Sequence, residues 1–216
     1  MRAVLFDMDG VLVDSEDYWV AFERDELLPE VVPDEDVQVA ELTGMNYHDI
    51  YDYLESEYGT AIPREAYLDR FETFAHELYT DRVSLLSGFR DLRDELADRG
   101  ADVALVSSSP HGWIDLVLER FDLEEDFDAV VSADDIDGGS KPEPDVFEYA
   151  AAELDVPPEG CVAVEDSENG VESAARAGTT TVAYRIDAHD DLDLSAADVV
   201  VDSPEALRET VLELVE

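Results

Sequence analysis

The chain has 216 residues, a formal net charge of −44, 45% hydrophobic residues and one cysteine, Cys161. Its length is enough to bury a core, and its nine Tyr, eight Phe and periodic apolar segments argue against a disordered acidic chain. Such a charge would repel a nucleic-acid backbone, and a single cysteine excludes an intramolecular disulfide, so we expect a cytoplasmic protein without nucleic-acid partners.

The acidic composition favours a folded protein from a very salty cytoplasm. Dispersed carboxylates repel one another in dilute buffer, and salt relieves this because the screening length is only about 3 Å at 1 M. The composition agrees with this interpretation, because Lys141 is the only lysine and the arginines make up the rest of the Lys and Arg total. No stretch approaches the roughly 20 apolar residues of a membrane span, and carboxylates interrupt the first apolar run, so we expect neither a signal peptide nor membrane association.

The first predicted strand, Ala3–Phe6, leads directly into Asp7 and Asp9. The carboxyl ends of buried parallel strands are where open α/β sheets bind ligands, and two carboxylates there can hold a cation, attack phosphorus and move a proton. The spacing alone proves little, because other Asp-x-Asp pairs occur at Asp34/Asp36, Asp126/Asp128, Asp135/Asp137 and Asp191/Asp193. Only the first pair interrupts an apolar run, so we expect the others to be solvated acids.

Residues 15–86 are helical by pattern throughout, and no strand candidate interrupts them. This stretch predicts an all-helical subdomain inserted after the first strand. Most of its aromatic residues are expected to form its own core, with a minority, such as Trp19, Tyr47 or His48, available to face a substrate.

From about residue 87 onward, strand and helix patterns alternate. Further strands are predicted at Val103–Val106, Ala129–Val131, Val162–Val164, Thr180–Ala183 and Val199–Val201, and helices at Gly88–Arg99, His111–Arg120, Glu143–Leu154, Glu168–Ala177 and Pro204–Val215. The alternation predicts an α/β fold, a doubly wound Rossmann-like parallel sheet with helices on both faces. The expected domains are therefore an α/β core of residues 1–14 and 87–216 and a helical cap of residues 15–86.

Three later segments place chemistry after strand candidates. Ser107 and Ser108 offer a hydroxyl and backbone N–H groups suited to phosphate oxygens, although a helix cap is the alternative. The only lysine, Lys141, stands in a Gly- and Pro-rich loop and can neutralise phosphate and carboxylate charge. Glu165 and Asp166 offer the oxygen ligands that Mg²⁺ prefers, although acids at a helix N-terminus are the alternative.

In this order, the set resembles the haloacid dehalogenase-like (HAD) hydrolase superfamily, and the helical insertion is similar to the cap of its phosphatase and β-phosphoglucomutase-like subgroup. The resemblance covers essentially the whole chain and implies that Asp7 attacks phosphorus to form an aspartyl-phosphate. Asp9 would protonate the leaving oxygen and then activate water. Ser107, the Ser108 amide and Lys141 would bind the transferring phosphoryl group.

The resemblance also implies a Mg²⁺ cofactor. The ion would be held by Asp7, the backbone carbonyl of Asp9 and Asp166, with Glu165 close by. Because a protein of such negative charge repels a phosphate ester, Mg²⁺ and Lys141 would have to supply the local positive potential.

Departures from relatives narrow the function to a phosphatase acting on a small sugar phosphate or phosphoglycolate. Asp9 argues against halide displacement, and the lack of a second lysine excludes phosphonate cleavage through a Schiff base. A phosphosugar mutase remains an alternative, although its His and Arg positions correspond here to Trp19 and to Tyr47, which follows Gly44. A phospho-accepting signalling module is a remote alternative, and a monomer and a homodimer are both open.

Overall fold

The structure, a computed structural model, describes residues 2–42, 47–136, 138–186 and 192–215. The chain divides into two compact units, an α/β unit of residues 1–14 and 84–216 and a helical unit of residues 15–83. Leu86 donates its backbone N–H to the Leu12 carbonyl, and Leu85 forms a β-bridge with Val13, so the returning chain is tied to the segment after the first strand.

No strand occurs among the described residues of the helical unit, as predicted. Its helices are α1 Glu16–Phe22, α2 Leu28–Val31, α3 Tyr47–Glu57 and α4 Arg64–Glu77, with π-helical turns at Glu23–Leu27 and Leu78–Arg82. An aromatic cluster forms much of its core. Phe22 stacks on Phe74 with ring centroids 4.1 Å apart, and Tyr67 and Tyr79 are fully buried.

The α/β unit contains one sheet among the described residues. Its strands are β1 Ala3–Phe6, β2 Asp102–Ser107, β3 Ala129–Ser132, β4 Cys161–Glu165, β5 Thr180–Tyr184 and β6 Val199–Val201. All neighbours pair in parallel, in the order β3-β2-β1-β4-β5-β6. The strand order reverses at β1, which lies between β2 and β4, and a doubly wound sheet binds its ligands at the carboxyl ends beside such a point.

Both faces of the sheet are covered, which explains its uninterrupted apolar strands. The remaining helices are α5 Phe89–Asp98, α6 His111–Phe121, α7 Asp145–Glu153, α8 Glu168–Ala177 and α9 Pro204–Leu214. Successive side chains of a strand point to opposite faces. Leu5 therefore joins a cluster with Phe147 of α7, whereas Phe6 meets the ring of Phe89 in α5 at 5.7 Å.

The six strand predictions and the α/β fold are confirmed, and one helix start was wrong. The helix predicted from Glu143 begins at Asp145, because the Glu143 N–H closes a turn with the Ser140 carbonyl and Pro144 occupies the N-cap. This turn holds Lys141. None of the described helices is both long and apolar enough to cross a bilayer.

Candidate active site

Three polar side chains meet at the carboxyl ends of the central strands. Asp7 follows β1, Ser107 ends β2 and Glu165 ends β4. The registers set Phe6 beside both Leu105 and Val164, and the Asp7 N–H continues the ladder by donating to the Val164 carbonyl at 3.0 Å. The parallel pairing thus carries residues that are far apart in sequence to one end of the sheet.

Lys141 lies between two of these carboxylates. Its Nζ donates to Asp7 Oδ1 and to Glu165 Oε1, each at 2.6 Å, and it lies 5.2 Å from the centroid of the Phe147 ring. All three charged side chains are buried, with side-chain exposures of 8%, 9% and 1% for Lys141, Asp7 and Glu165. The only lysine of the chain is therefore the cation that joins the motifs after β1 and β4.

The charges of this cluster shift one another's pKa values. Burial raises the pKa of Asp7 well above its usual range, and the Glu165, Asp166 and Asp9 carboxylates raise it further. Lys141 opposes this rise. Burial alone would lower the pKa of Lys141, but the Asp7 and Glu165 carboxylates outweigh burial and raise it, so the lysine stays charged.

The acidic side chains fit a divalent cation. Asp7, Glu165 and Asp166 are buried, and each offers a carboxylate oxygen within 4.8 Å of the others. One ammonium does not neutralise three carboxylates, and clustered oxygen ligands suit Mg²⁺. Asp166 Oδ2 also occupies the space that a Cβ at Gly10 would fill, and Gly10 has a φ of +74°, so the turn after β1 leaves room for this carboxylate.

Ser109 is a site residue that the sequence reasoning missed. Its hydroxyl donates to Asp9 Oδ2 at 2.9 Å, and its backbone N–H donates to Ser107 Oγ at 3.0 Å. Its carbonyl accepts from Ser132 Oγ at 2.8 Å. Ser107 and Ser109 are buried whereas Ser108 is exposed at the turn after β2. Ser109 thus connects the two serine-bearing strand ends to Asp9, and phosphate binding by the Ser108 amide stays a prediction.

Asp135, from the Asp135/Asp137 pair, makes local contacts. Asp135 accepts from the Ser132 N–H at 2.9 Å and contacts the His111 ring at 2.8 Å. This carboxylate completes a capping box at the turn after β3. Asp137 of the same pair and Asp191 of the Asp191/Asp193 pair lie outside the described residues.

The candidate substrate-facing aromatic residues contact the aromatic cluster of the helical unit. Trp19 stacks on Phe71 with centroids 5.6 Å apart, and its indole N–H donates to the Tyr79 hydroxyl at 3.3 Å. Tyr47 lies 4.2 Å from the His48 ring and 5.5 Å from Phe71, centroid to centroid. Gly44 lies outside the described residues. Substrate contact by these aromatic side chains stays a prediction.

Comparisons with known proteins show which family this chain is similar to. A sequence model of the haloacid dehalogenase-like hydrolases matches residues 4–184. Hexitol phosphatase B of Escherichia coli (strain K12) is 34% identical over 174 residues, 78% of this chain and 77% of that protein. Beta-phosphoglucomutase of Bacillus subtilis (strain 168) is 30% identical over 192 residues, 84% of this chain and 82% of that protein.

The fold agrees with the sequence matches. The crystal structure of CbbY from Rhodobacter sphaeroides in complex with phosphate has a TM-score of 0.80 at 26% identity, and the match covers 96% of each chain. The family match spans most of the sequence and includes every residue of the carboxylate cluster together with Lys141. The chain therefore belongs to the haloacid dehalogenase-like hydrolases.

Proposed function

We propose that this protein is a Mg²⁺-dependent phosphatase that hydrolyses a small phosphomonoester through an aspartyl-phosphate intermediate. The observation that carries the proposal is the buried Lys141 ammonium, held 2.6 Å from both Asp7 Oδ1 and Glu165 Oε1. A carboxylate nucleophile beside a fixed positive charge suits phosphoryl transfer, which depends mainly on positioning and on cancelling charge. The sugar phosphate class is supported by relatives named hexitol phosphatase B and beta-phosphoglucomutase.

In the first half-reaction, an oxygen of Asp7 forms a bond to phosphorus while the bond from phosphorus to the ester oxygen breaks. Asp9 gives its proton to that ester oxygen, so the alcohol leaves neutral and Asp9 becomes a carboxylate. Ser109 supports this role, because its hydroxyl holds Asp9 Oδ2 at 2.9 Å. Lys141, Ser107 and the Ser108 amide would bind the phosphoryl oxygens.

In the second half-reaction, Asp9 takes a proton from a water molecule whose oxygen attacks phosphorus. The bond from phosphorus to the Asp7 oxygen then breaks, inorganic phosphate leaves, and both aspartates return to their starting states. Because the acid of the first step is the base of the second, Asp9 favours turnover over storage of the phosphoryl group.

Asp7, Asp166 and the Asp9 carbonyl would hold Mg²⁺, with Glu165 close by. When bound, the ion would neutralise phosphate charge and orient the phosphoryl group. The raised pKa of Asp7 supports a cation requirement, since burial and the neighbouring carboxylates disfavour the ionised nucleophile more than Lys141 favours it.

The test is a phosphate-release panel of sugar phosphates and phosphoglycolate, at molar KCl, with and without Mg²⁺. We expect release that requires Mg²⁺ and that falls by at least about 10³-fold in Asp7→Asn, as when other nucleophiles are removed. Asp98→Asn is the matched control, because Asp98 is an exposed residue at the end of α5. Equal release by wild type and Asp7→Asn would overturn the mechanism.

A phosphosugar mutase is the second candidate, favoured by the 30% identity to beta-phosphoglucomutase. Trp19 stands at the position where the mutases carry a histidine. Its indole ring stacks on Phe71, and its N–H donates to the Tyr79 hydroxyl. We therefore expect hydrolysis to dominate. Conversion of β-glucose 1-phosphate to glucose 6-phosphate, followed by phosphorus NMR, would establish the mutase instead.

The net charge of −44 supports a protein adapted to a salty cytoplasm. Salt screens the mutual repulsion of surface carboxylates, so dilution should weaken the folded state. We expect the Tm, followed by circular dichroism, to fall when KCl is lowered from molar to millimolar concentration. An unchanged Tm would contradict the proposed adaptation.

A further inference from the structure

Glu165 bends back over the first turn of the helix that follows it. Its side chain is fully buried at the end of β4, and Oε2 accepts from the Asp166 N–H and the Ser167 hydroxyl, each at 3.2 Å. Oε1 accepts from Lys141 at 2.6 Å. The carboxylate therefore lies against the N-terminal end of α8, where backbone N–H groups and the helix dipole favour negative charge.

Gly170, the third residue of α8, faces this carboxylate. A Cβ at Gly170 would overlap the carboxyl carbon and both oxygens of Glu165, far inside the 3.0 Å that real Cβ atoms keep. The carboxylate thus occupies the space that any side chain at this position would need. Both residues are buried, so a side chain at position 170 would have to displace the Glu165 carboxylate among other buried groups.

The backbone conformation does not explain why residue 170 is a glycine. Gly170 has a helical conformation and is absent from the positive-φ residues among the described chain, so alanine could adopt its φ and ψ. Glycine is also a poor helix former compared with alanine. The remaining physical reason for a bare backbone at this point is the volume of the Glu165 carboxylate.

We propose that Gly170 is a positioning residue whose missing side chain lets Glu165 hold Lys141 against Asp7. This inference rests on the proposed function, because the ammonium is needed there to bind the phosphoryl group. Displacing the Glu165 carboxylate would move Nζ from its place between two carboxylates. It would also disturb the acidic cluster of Asp7, Glu165 and Asp166 that fits a divalent cation.

The first test compares Gly170→Ala with Gly112→Ala. Gly112 is the matched control, because it is the second residue of α6 and a Cβ there meets nothing within 4 Å. We expect Gly170→Ala to lower kcat by about 10- to 100-fold and to weaken Mg²⁺ binding in calorimetry, as loss of a supporting contact does in metal sites. Gly112→Ala should change neither. Equal behaviour of the two variants would overturn the inference.

The second test shortens the carboxylate. Glu165→Asp retracts the group from the position of the new Cβ, so Gly170→Ala should reduce activity and Tm much less in the Glu165→Asp background than in wild type. This coupling separates a clash between the two side chains from a general helix defect, and the double variant is the one expected to fold if Gly170→Ala does not. Strictly additive effects would overturn the inference.

A readout without turnover separates this inference from the proposed function. In a crystal structure of Gly170→Ala, we expect the Lys141 Nζ to Glu165 Oε1 distance to grow beyond 4 Å from its present 2.6 Å. An unchanged distance would refute the positioning role even if the enzyme is a phosphatase. Conversely, a displaced carboxylate in a protein whose wild type releases no phosphate would refute the proposed function alone.

Discussion

The two units differ in what they bury. Ser15 is the only buried Ser, Thr, Asp or Glu side chain among the described residues of the helical unit. The described residues of the α/β unit include nine such buried side chains: Asp7, Ser107, Ser109, Ser132, Glu165, Asp166, Ser173, Thr179 and Thr181. The helical unit fills its interior with aromatic rings instead, such as Trp19 stacked on Phe71. Burying carboxylates is costly, so their concentration at one end of the sheet marks the place where structure is kept for chemistry.

The contrast teaches that the α/β unit tolerates its acids through a specific arrangement. Lys141 contacts Asp7 and Glu165 directly, and Ser109 donates to Asp9. Among its described residues, the helical unit has a partial counterpart in Glu23. Glu23 is half-buried, and burial together with the nearby Glu16 raises its pKa to about 7. Substitutions in each unit test whether the buried charge of the α/β unit is compensated and whether that of Glu23 in the helical unit is not.

The largest expected effect comes from removing the compensating charge with Lys141→Met. Breaking a buried ion pair leaves carboxylates without a partner, which costs about 3–5 kcal/mol of unfolding free energy. Loss of a group that stabilises developing charge lowers kcat by about 10²–10³-fold. Denaturant unfolding in EDTA measures the first effect, and phosphate release with Mg²⁺ measures the second.

Arg24→Met is the control for removing a positive charge. Arg24 pairs with Asp25 on the surface of the helical unit, where solvent screens an exposed ion pair and leaves it little effect on stability. If Lys141→Met were as stable as Arg24→Met, the acids of the α/β unit would not depend on the lysine, and the contrast between the units would fail.

A smaller effect is expected from Glu23→Gln in the helical unit. A carboxyl whose pKa is about 7 in the folded state and 4.5 when unfolded stabilises the fold below about pH 4.5, and this contribution is lost as the pH rises through 7. Allowing for partial exposure, we expect Glu23→Gln to be more stable than wild type by about 2 kcal/mol at pH 8 and equal to it near pH 4. Denaturant unfolding at both values measures the difference.

The neighbours of Glu23 sharpen this prediction. The Tyr67 hydroxyl is buried without a hydrogen-bond partner among the described residues, and burial and the Glu23 charge both raise its pKa. Tyr67 thus stays neutral and adds no negative charge beside Glu23. A pH-independent difference between Glu23→Gln and wild type would show that the helical unit also neutralises its buried acid.

Local pattern predicted the strands of the α/β unit well, because they are buried on both faces and read as apolar runs. It also placed Asp7 and Glu165 at the carboxyl ends of strands, since both follow such runs directly in the sequence. It could not supply the partners of Lys141, because the contact with Asp7 joins residues 134 positions apart. The sequence pattern also could not choose among the three consecutive serines at 107–109. The backbone conformation of the turn after β2 decides that Ser109, and not Ser108, is buried beside Asp9.

The smallest expected effect concerns that serine. Ser109→Ala removes the donor to Asp9 Oδ2 but leaves the charges of the site unchanged, so Asp9 loses its orientation and not its chemistry. Since a general acid and base contributes about 10²–10⁴-fold, partial misorientation should lower kcat by about 10-fold. Ser203→Ala is the control, because Ser203 caps α9 through the Ala206 N–H and its loss affects stability without touching Asp9. A Ser109→Ala variant with the kcat of Ser203→Ala would mean that Asp9 is positioned by other contacts, and that the buried serine is structural.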